Sequence, residues 1–337
     1  MLVGALAASS CGDNPVKPAP VDQFPTGPTI SCPVPVSITS PNNQATNVAY
    51  GAATGLGGAP PVTVSCTPAS QTLFPIGATT VTCTAVDARQ RPASCTFSVT
   101  VLRPPSISLT RFAAFGDSMT RGEDGVSSSA FGRRDGFGPQ VFFEASKTYP
   151  GVLQGLLAAR YTTQTFSVAN HGVPAERAAA AGTLARFSSV VGSGAYDAVL
   201  IMEGSNDLAD RDDRITAAAI GNLRQMLREA RSRNVRPLLA TIPPMVSGGF
   251  RALAWSLVPP FNDELRALAA SEGVTLVDVY TGINADTSRY VGFDGLHLTE
   301  AGYAKVADVF FTVLRATLER PPTLTFSPTG APFASRR

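Results

Sequence analysis

The sequence predicts an α/β domain, a parallel sheet between helices, preceded by a small all-β sandwich. Three observations predict it. Residues 110–318 alternate apolar strand-like runs with stretches of helical periodicity, which implies a parallel sheet covered on both faces. Residues 30–102 show period-two alternation broken by turn residues, the pattern of an antiparallel sandwich. All five cysteines, Cys11, Cys32, Cys66, Cys83 and Cys95, lie in the first hundred residues. The expected organisation is a leader and tether (1–29), a β domain (30–102), a linker (103–109), an α/β domain (110–318) and a tail (319–337).

Composition narrows the function classes. The 337 residues are 44% hydrophobic and 15% charged. That supplies a core and excludes wholesale disorder. Lys and Arg number 27 against 25 Asp and Glu, a formal net charge of +2. With no basic excess for a phosphate backbone, no nucleic-acid partner is expected. No run of 18 apolar residues occurs, so no transmembrane helix is expected. The only histidines are His171 and His297, which excludes a histidine-rich metal site.

The first residues, Met1 to Gly12, run apolar, then small, then Cys11. This resembles the end of a bacterial lipoprotein signal, with Ala8-Ser9-Ser10 before a lipidated cysteine. It implies a lipid anchor at Cys11 and an extracytoplasmic protein. Pro15, Pro18, Pro20, Pro25 and Pro28 then favour an extended, semi-stiff tether.

In the β domain, Val62, Val64 and Cys66 alternate with Thr63 and Ser65, and Val81, Cys83 and Ala85 with Thr82 and Thr84. Cys95, Phe97, Val99 and Val101 follow the same rule. Cys66, Cys83 and Cys95 thus share the apolar face. Setting Cys11 aside, four cysteines allow three connectivities, and pairing implies an oxidising compartment. The spacings are too wide for a zinc site. The stretch Phe74 to Asp87, the following Ala93 to Val101, and the opening Cys32-Pro33 resemble the hyalin-repeat (HYR) family. That resemblance implies an immunoglobulin-like fold, the pairs Cys32–Cys95 and Cys66–Cys83, and an adhesive role with a surface ligand.

In the α/β domain, the predicted strands are Phe112–Phe115, 165–169, Asp197–Met202, Leu238–Ile242 and Thr275–Val279. The predicted helices span 146–161, 215–230 and 260–272, with a last helix capped by Thr299. Ligands of such folds bind outside the carboxyl ends of the strands. Four polar clusters fall there or in the last loop: Gly116-Asp117-Ser118, Asn170-His171-Gly172, Gly204-Ser205-Asn206-Asp207 and Asp294-Gly295-Leu296-His297.

These residue types suit acyl transfer. Serine needs a base within hydrogen-bond reach. Histidine titrates near the working pH, and a carboxylate on its other nitrogen fixes its tautomer. Asp294, three residues before His297, is placed to do this. The backbone N–H groups of Ser118 and Gly172 and the Asn206 amide are candidate donors to an oxyanion. The four clusters, in order, resemble the SGNH (GDSL) hydrolase family over about 110–318. That resemblance implies a flavodoxin-like three-layer α/β/α fold. It makes Ser118 the nucleophile, His297 the base and Asp294 its orienting acid, with Gly172 and Asn206 in the oxyanion hole. One departure is that the family's second block often reads N-x-G-x-x-G, whereas Val173-Pro174-Ala175 follow Gly172 here.

Asp117, Asp207 and His171 read as structural, and Asp210 to Arg214 as a solvated surface. Two loops, 123–145 with Phe131, Phe137, Phe142 and Phe143, and 245–261 with Phe250, Leu253, Trp255, Leu257 and Phe261, are candidate walls of an acyl pocket. Arg133 and Arg134 are candidates for an anionic head group. The expected activity is carboxylic ester hydrolysis through an acyl-enzyme, on lipid, short-acyl or acetylated glycan esters. No metal or organic cofactor is needed. The alternatives are an adhesion protein with an inactive hydrolase-like domain, and an acyltransferase.

Overall fold

The computed structural model describes residues 21–126 and 140–320. Cys11, Phe131, Arg133, Arg134 and Phe137 lie outside the described residues, as does the tail beyond Arg320. The chain divides into two compact units, Gln44–Leu102 belonging to the first and the described residues from Arg103 onward to the second.

The first unit is all β. Its strands are β1 (Pro28–Ser31), β2 (Val36–Thr39), β3 (Thr46–Val48), β4 (Thr54–Gly57), β5 (Thr63–Thr67), β6 (Thr72–Phe74), β7 (Gly77–Val86) and β8 (Pro92–Leu102). A four-stranded sheet runs β2-β8-β7-β5, and β1 pairs with β4 and β3 with β6. Every pairing is antiparallel except β2 with β8, which is parallel. Alternation on β7 and β8 sends Val81, Cys83, Val99 and Val101 into a core shared with Phe74. β5 is an edge strand, so Val64, expected inside, is 38% exposed. Cys66 lies opposite Cys83, and Cys83 opposite Cys95, in the sheet register. The sulfurs of Cys32 and Cys95 are 2.02 Å apart, and those of Cys66 and Cys83 are 2.10 Å apart.

The second unit is a three-layer α/β/α sandwich. It opens with β9 (Ser106–Ile107), then β10 (Arg111–Gly116), α1 (Ser118–Arg121), α2 (Tyr149–Arg160), β11 (Ser167–Gly172), α3 (Ala181–Gly192) and β12 (Ala198–Met202). It continues with α4 (Asp213–Ser232), β13 (Arg236–Ala240), α5 (Val258–Glu272), β14 (Thr275–Val277), α6 (Val279–Asn284), α7 (Thr287–Tyr290), α8 (Glu300–Leu318) and β15 (Glu319–Arg320). The sheet is fully parallel in the order β11-β10-β12-β13-β14.

Period-two geometry divides each strand between two cores. Phe112, Ala114, Leu200, Met202 and Leu238 face α2, α6 and α8, whereas Ala113, Phe115, Val199, Ile201 and Leu239 face α3, α4 and α5. On α4 the buried stripe is Ala219, Leu223, Met226, Leu227 and Ala230. Each fully buried Leu or Met contributes about 1.5–3 kcal/mol.

Several boundaries differ from expectation. The second strand extends to Gly172, because its last residues pair with Ala114–Gly116. Helix α3 was not predicted, since its Ala- and Ser-rich run of Ala181–Gly192 buries only Thr183, Phe187 and Val191. Residues 106–107, expected in the linker, pair antiparallel with Glu319–Arg320, expected in the tail. Buried Ile107 anchors that pairing in the core. No helix among the described residues is long and apolar enough to cross a membrane.

Candidate active site

The nucleophile candidate sits on a tight strand-to-helix turn. At Gly116 a side chain would come within 2.2 Å of the Met202 carbonyl oxygen, so only glycine fits where β10 ends. The Asp117 carboxylate then accepts the Met119 N–H at 2.9 Å and caps α1. Ser118 is thereby held at the carboxyl end of β10, beside the point where strand order reverses between β10 and β12. It is 4% exposed.

His297 arrives from the loop before α8. Gly295 turns that loop at a φ of 79°. Asp294 Oδ1 accepts the N–H groups of Leu296 and His297, both at 2.9 Å. Its Oδ2 lies 2.6 Å from His297 Nδ1, and His297 Nε2 lies 2.9 Å from Ser118 Oγ. A carboxylate at Nδ1 favours the tautomer that donates there, which leaves Nε2 to accept from the hydroxyl. The structure therefore brings Ser118, His297 and Asp294 together in one hydrogen-bonded line. Thr299 Oγ1 caps α8 by accepting the Gly302 N–H at 3.0 Å.

The expected oxyanion donors are placed differently from one another. Gly204, at a φ of 118°, turns the chain after β12 and positions Asn206 at the cavity. Asn206 Nδ2 donates to the Glu176 carbonyl at 2.8 Å and lies 3.4 Å from Asp117 Oδ2. The Gly172 N–H, by contrast, donates to its neighbour Asn170 Oδ1 at 3.0 Å, and Gly172 is not among the cavity-lining residues. Its lack of a side chain serves packing, because a Cβ there would lie 2.1 Å from the Arg121 nitrogen. In this structure Gly172 thus packs against Arg121, away from the cavity lining. Ala175, where the family motif often carries its second glycine, does line the cavity, in the left-handed region at a φ of 60°.

The other sequence candidates are structural. Asp207 accepts the N–H groups of Ala178 and Ala179, both at 2.8 Å. His171 Nε2 meets the Tyr196 hydroxyl at 2.7 Å, and burial lowers its pKa. Asp212 caps α4, and Asp210 pairs with Arg177.

Sequence reasoning missed three charged residues. Glu123, 3% exposed, places Oε1 2.5 Å from Arg251 Nη1 and Oε2 3.4 Å from His297 Nε2. In the sequence both residues belong to Gly- or apolar-rich loops, where isolated charges read as solvated. Glu203, at the end of β12, is fully buried, and neither carboxylate oxygen has a hydrogen-bond partner among the described residues. Burial, then the neighbouring charge of Asp117, push its pKa well above the usual carboxylate range. Burial also pushes Asp117 up to about 6, against the Met119 N–H and the His297 charge.

Ser118, His297 and Asn206 open on a cavity of about 470 Å³. Its wall carries Met245, Phe250, Leu253, Ala254 and Leu296, and Glu123, Gln140 and Arg251 form a polar flank. That is the size and mixture of a small-molecule site. The loop 245–261 thus contributes Phe250 and Leu253, while Trp255 lines a neighbouring cleft and Phe261 is core. Phe142 and Phe143 do not line the cavity: Phe143 packs edge-on against Tyr303 at 5.7 Å.

The GDSL-like Lipase/Acylhydrolase family model matches residues 114–305, and the HYR domain model matches residues 21–101. A lipase/acylhydrolase from Enterococcus faecalis is similar at 21% identity, over 64% of this chain and 99% of that one, with a TM-score of 0.51. An acetylxylan esterase from Geobacillus stearothermophilus is similar at 20% identity, over 61% and 94%, with a TM-score of 0.47. No curated protein matches the chain. With more than half of its length matched, and the fold shared, the chain belongs to the GDSL-like lipase/acylhydrolase family.

Proposed function

We propose that the protein is a serine carboxylic ester hydrolase working through a Ser118–His297–Asp294 triad. The observation that carries this reading is the continuous line of contacts, 2.9 Å from Ser118 Oγ to His297 Nε2 and 2.6 Å from Nδ1 to Asp294, at the floor of a cavity. Ser118 Oγ attacks the ester carbonyl as its proton passes to Nε2. The tetrahedral oxyanion is met by the Ser118 N–H and the Asn206 amide, whose second hydrogen is held only by the long Asp117 contact. Ala175 takes the place expected of Gly172, since its N–H has no acceptor among the described residues. His297 then gives its proton to the leaving alkoxide, and water, deprotonated by the same nitrogen, releases the acid.

The apolar wall of Phe250, Leu253 and Met245 supports an acyl group as the part of the substrate that enters the cavity. Two disulfide-distance cysteine pairs and an HYR match support an extracytoplasmic site of action, with Cys11 as the proposed lipid attachment point. The test is hydrolysis of p-nitrophenyl esters of increasing acyl length, with Ser118→Ala as control. Serine-dependent turnover is expected. Unchanged turnover in Ser118→Ala overturns the assignment.

A further inference from the structure

We propose that Glu123 is a positioning residue of this site, which together with Arg251 holds His297 over Ser118 and gives the imidazolium a second carboxylate. The proposal rests on the triad reading above and extends it. Four contacts carry it. The Glu123 N–H donates to the Ser118 carbonyl at 3.0 Å, which ties Glu123 to the nucleophile's own residue. The Arg251 N–H donates to the Asp294 carbonyl at 2.9 Å, which ties Arg251 to the acid's residue. Their side chains meet at 2.5 Å. The ion pair therefore joins the two halves of the triad, which lie 179 positions apart in sequence. The Tyr303 hydroxyl, fully buried, donates to the Glu123 carbonyl at 2.7 Å and fixes it from α8.

The charges matter as much as the bracing. Glu123 Oε2 faces Nε2 at 3.4 Å, the nitrogen that gains a proton when Ser118 attacks. Arg251 Nη1 lies 3.5 Å from Nδ1 and opposes that proton. With Glu123 in place the guanidinium is neutralised, and a negative oxygen faces the new charge. Gln140 Nε2 donates to the same Oε2 at 3.2 Å and holds it in place. With Glu123 and His297 buried and Arg251 partly so, charges at such separations are screened less than in water. Without the carboxylate, Arg251 becomes an unbalanced cation beside the base.

This gives a charge test that a mere brace would not pass. Glu123→Gln keeps the size and an acceptor for Arg251 but removes the charge. It should lower kcat about 10–100-fold, with KM nearly unchanged. Adding Arg251→Gln removes the unbalanced cation, so the double variant should recover a large part of that loss. A double variant as slow as Glu123→Gln, or wild-type kcat in Glu123→Gln, overturns the proposal. A second readout needs no turnover: the downfield proton resonance of the His297–Asp294 hydrogen bond should shift in Glu123→Gln and return toward its position in the double variant. Where Glu123→Gln does not fold, Arg251→Gln alone carries the test. It should move the same proton resonance of the His297–Asp294 hydrogen bond, and an unmoved resonance would overturn the proposal. Full activity in Ser118→Ala would sink the triad reading itself. An inactive Ser118→Ala with an unmoved resonance and kcat in Glu123→Gln would sink only the present proposal.

Discussion

Ser118 Oγ and His297 Nε2 stand 2.9 Å apart at the carboxyl edge of the parallel sheet. The serine is brought there by β10 and the histidine by the loop before α8. On the proposed triad, Asp294 Oδ2, 2.6 Å from Nδ1, holds the working tautomer. Asp294→Asn should keep the fold and lower kcat by about 10³–10⁴-fold. Steady-state kinetics on a p-nitrophenyl ester, with a thermal melt as control, checks this.

The two block glycine and asparagine positions should separate by phenotype. Asn206→Ala removes the proposed oxyanion donor and should lower kcat about 10²–10³-fold with little change in Tm. Gly172→Ala should instead destabilise, because its Cβ would lie 2.1 Å from the Arg121 nitrogen, which is backbone and cannot yield cheaply. Parallel measurements of kcat and Tm distinguish the two.

Ala175 holds a φ of 60°, which costs an L-residue roughly 1 kcal/mol relative to glycine. Ala175→Gly should relieve that cost, offset in part by the greater freedom of the unfolded chain. The expected gain is small, roughly 1–3 °C in Tm. A fall in Tm would contradict the strain.

Glu203 is a fully buried carboxyl whose raised pKa makes the native state bind more protons than the unfolded chain. Its contribution to stability is therefore lost as pH rises from the ordinary value of 4.5 through the raised native one. Asp117 acts in the same direction between 3.8 and about 6. Glu203→Gln should raise Tm at pH 8, and the gain should vanish below pH 4.5. Each tenfold change in proton affinity is worth about 1.4 kcal/mol. A gain independent of pH would show that packing, and not charge, is responsible.

The Cys32–Cys95 and Cys66–Cys83 bridges close loops of 63 and 17 residues. Reduction should destabilise the first unit by about 2–4 kcal/mol per bridge. Denaturant melts with and without reductant measure this. Peptide maps without reduction should recover the same two pairs.

Much of this was legible in the sequence because it rests on local rules. Period-two and helical patterning located the five main strands and the helices now called α2, α4, α5 and α8. The four polar blocks stood at or near the strand ends because a parallel α/β sheet presents its functional loops there. What escaped depends on long-range placement. Gly172 matched a motif, yet only the fold shows its N–H turned to Asn170. Glu123 and Arg251 looked like loop charges, since nothing local announces an ion pair 128 residues apart. Helix α3 was hidden by small residues that give little periodic signal.

On the proposed mechanism, Ser118 is a nucleophile activated by His297. The most direct measurement is mass mapping of the protein after treatment with diisopropyl fluorophosphate. One phosphoryl adduct is expected on the peptide that holds Ser118, absent in Ser118→Ala and strongly slowed in His297→Ala. An adduct on another residue, or one that forms as fast in His297→Ala, would contradict it.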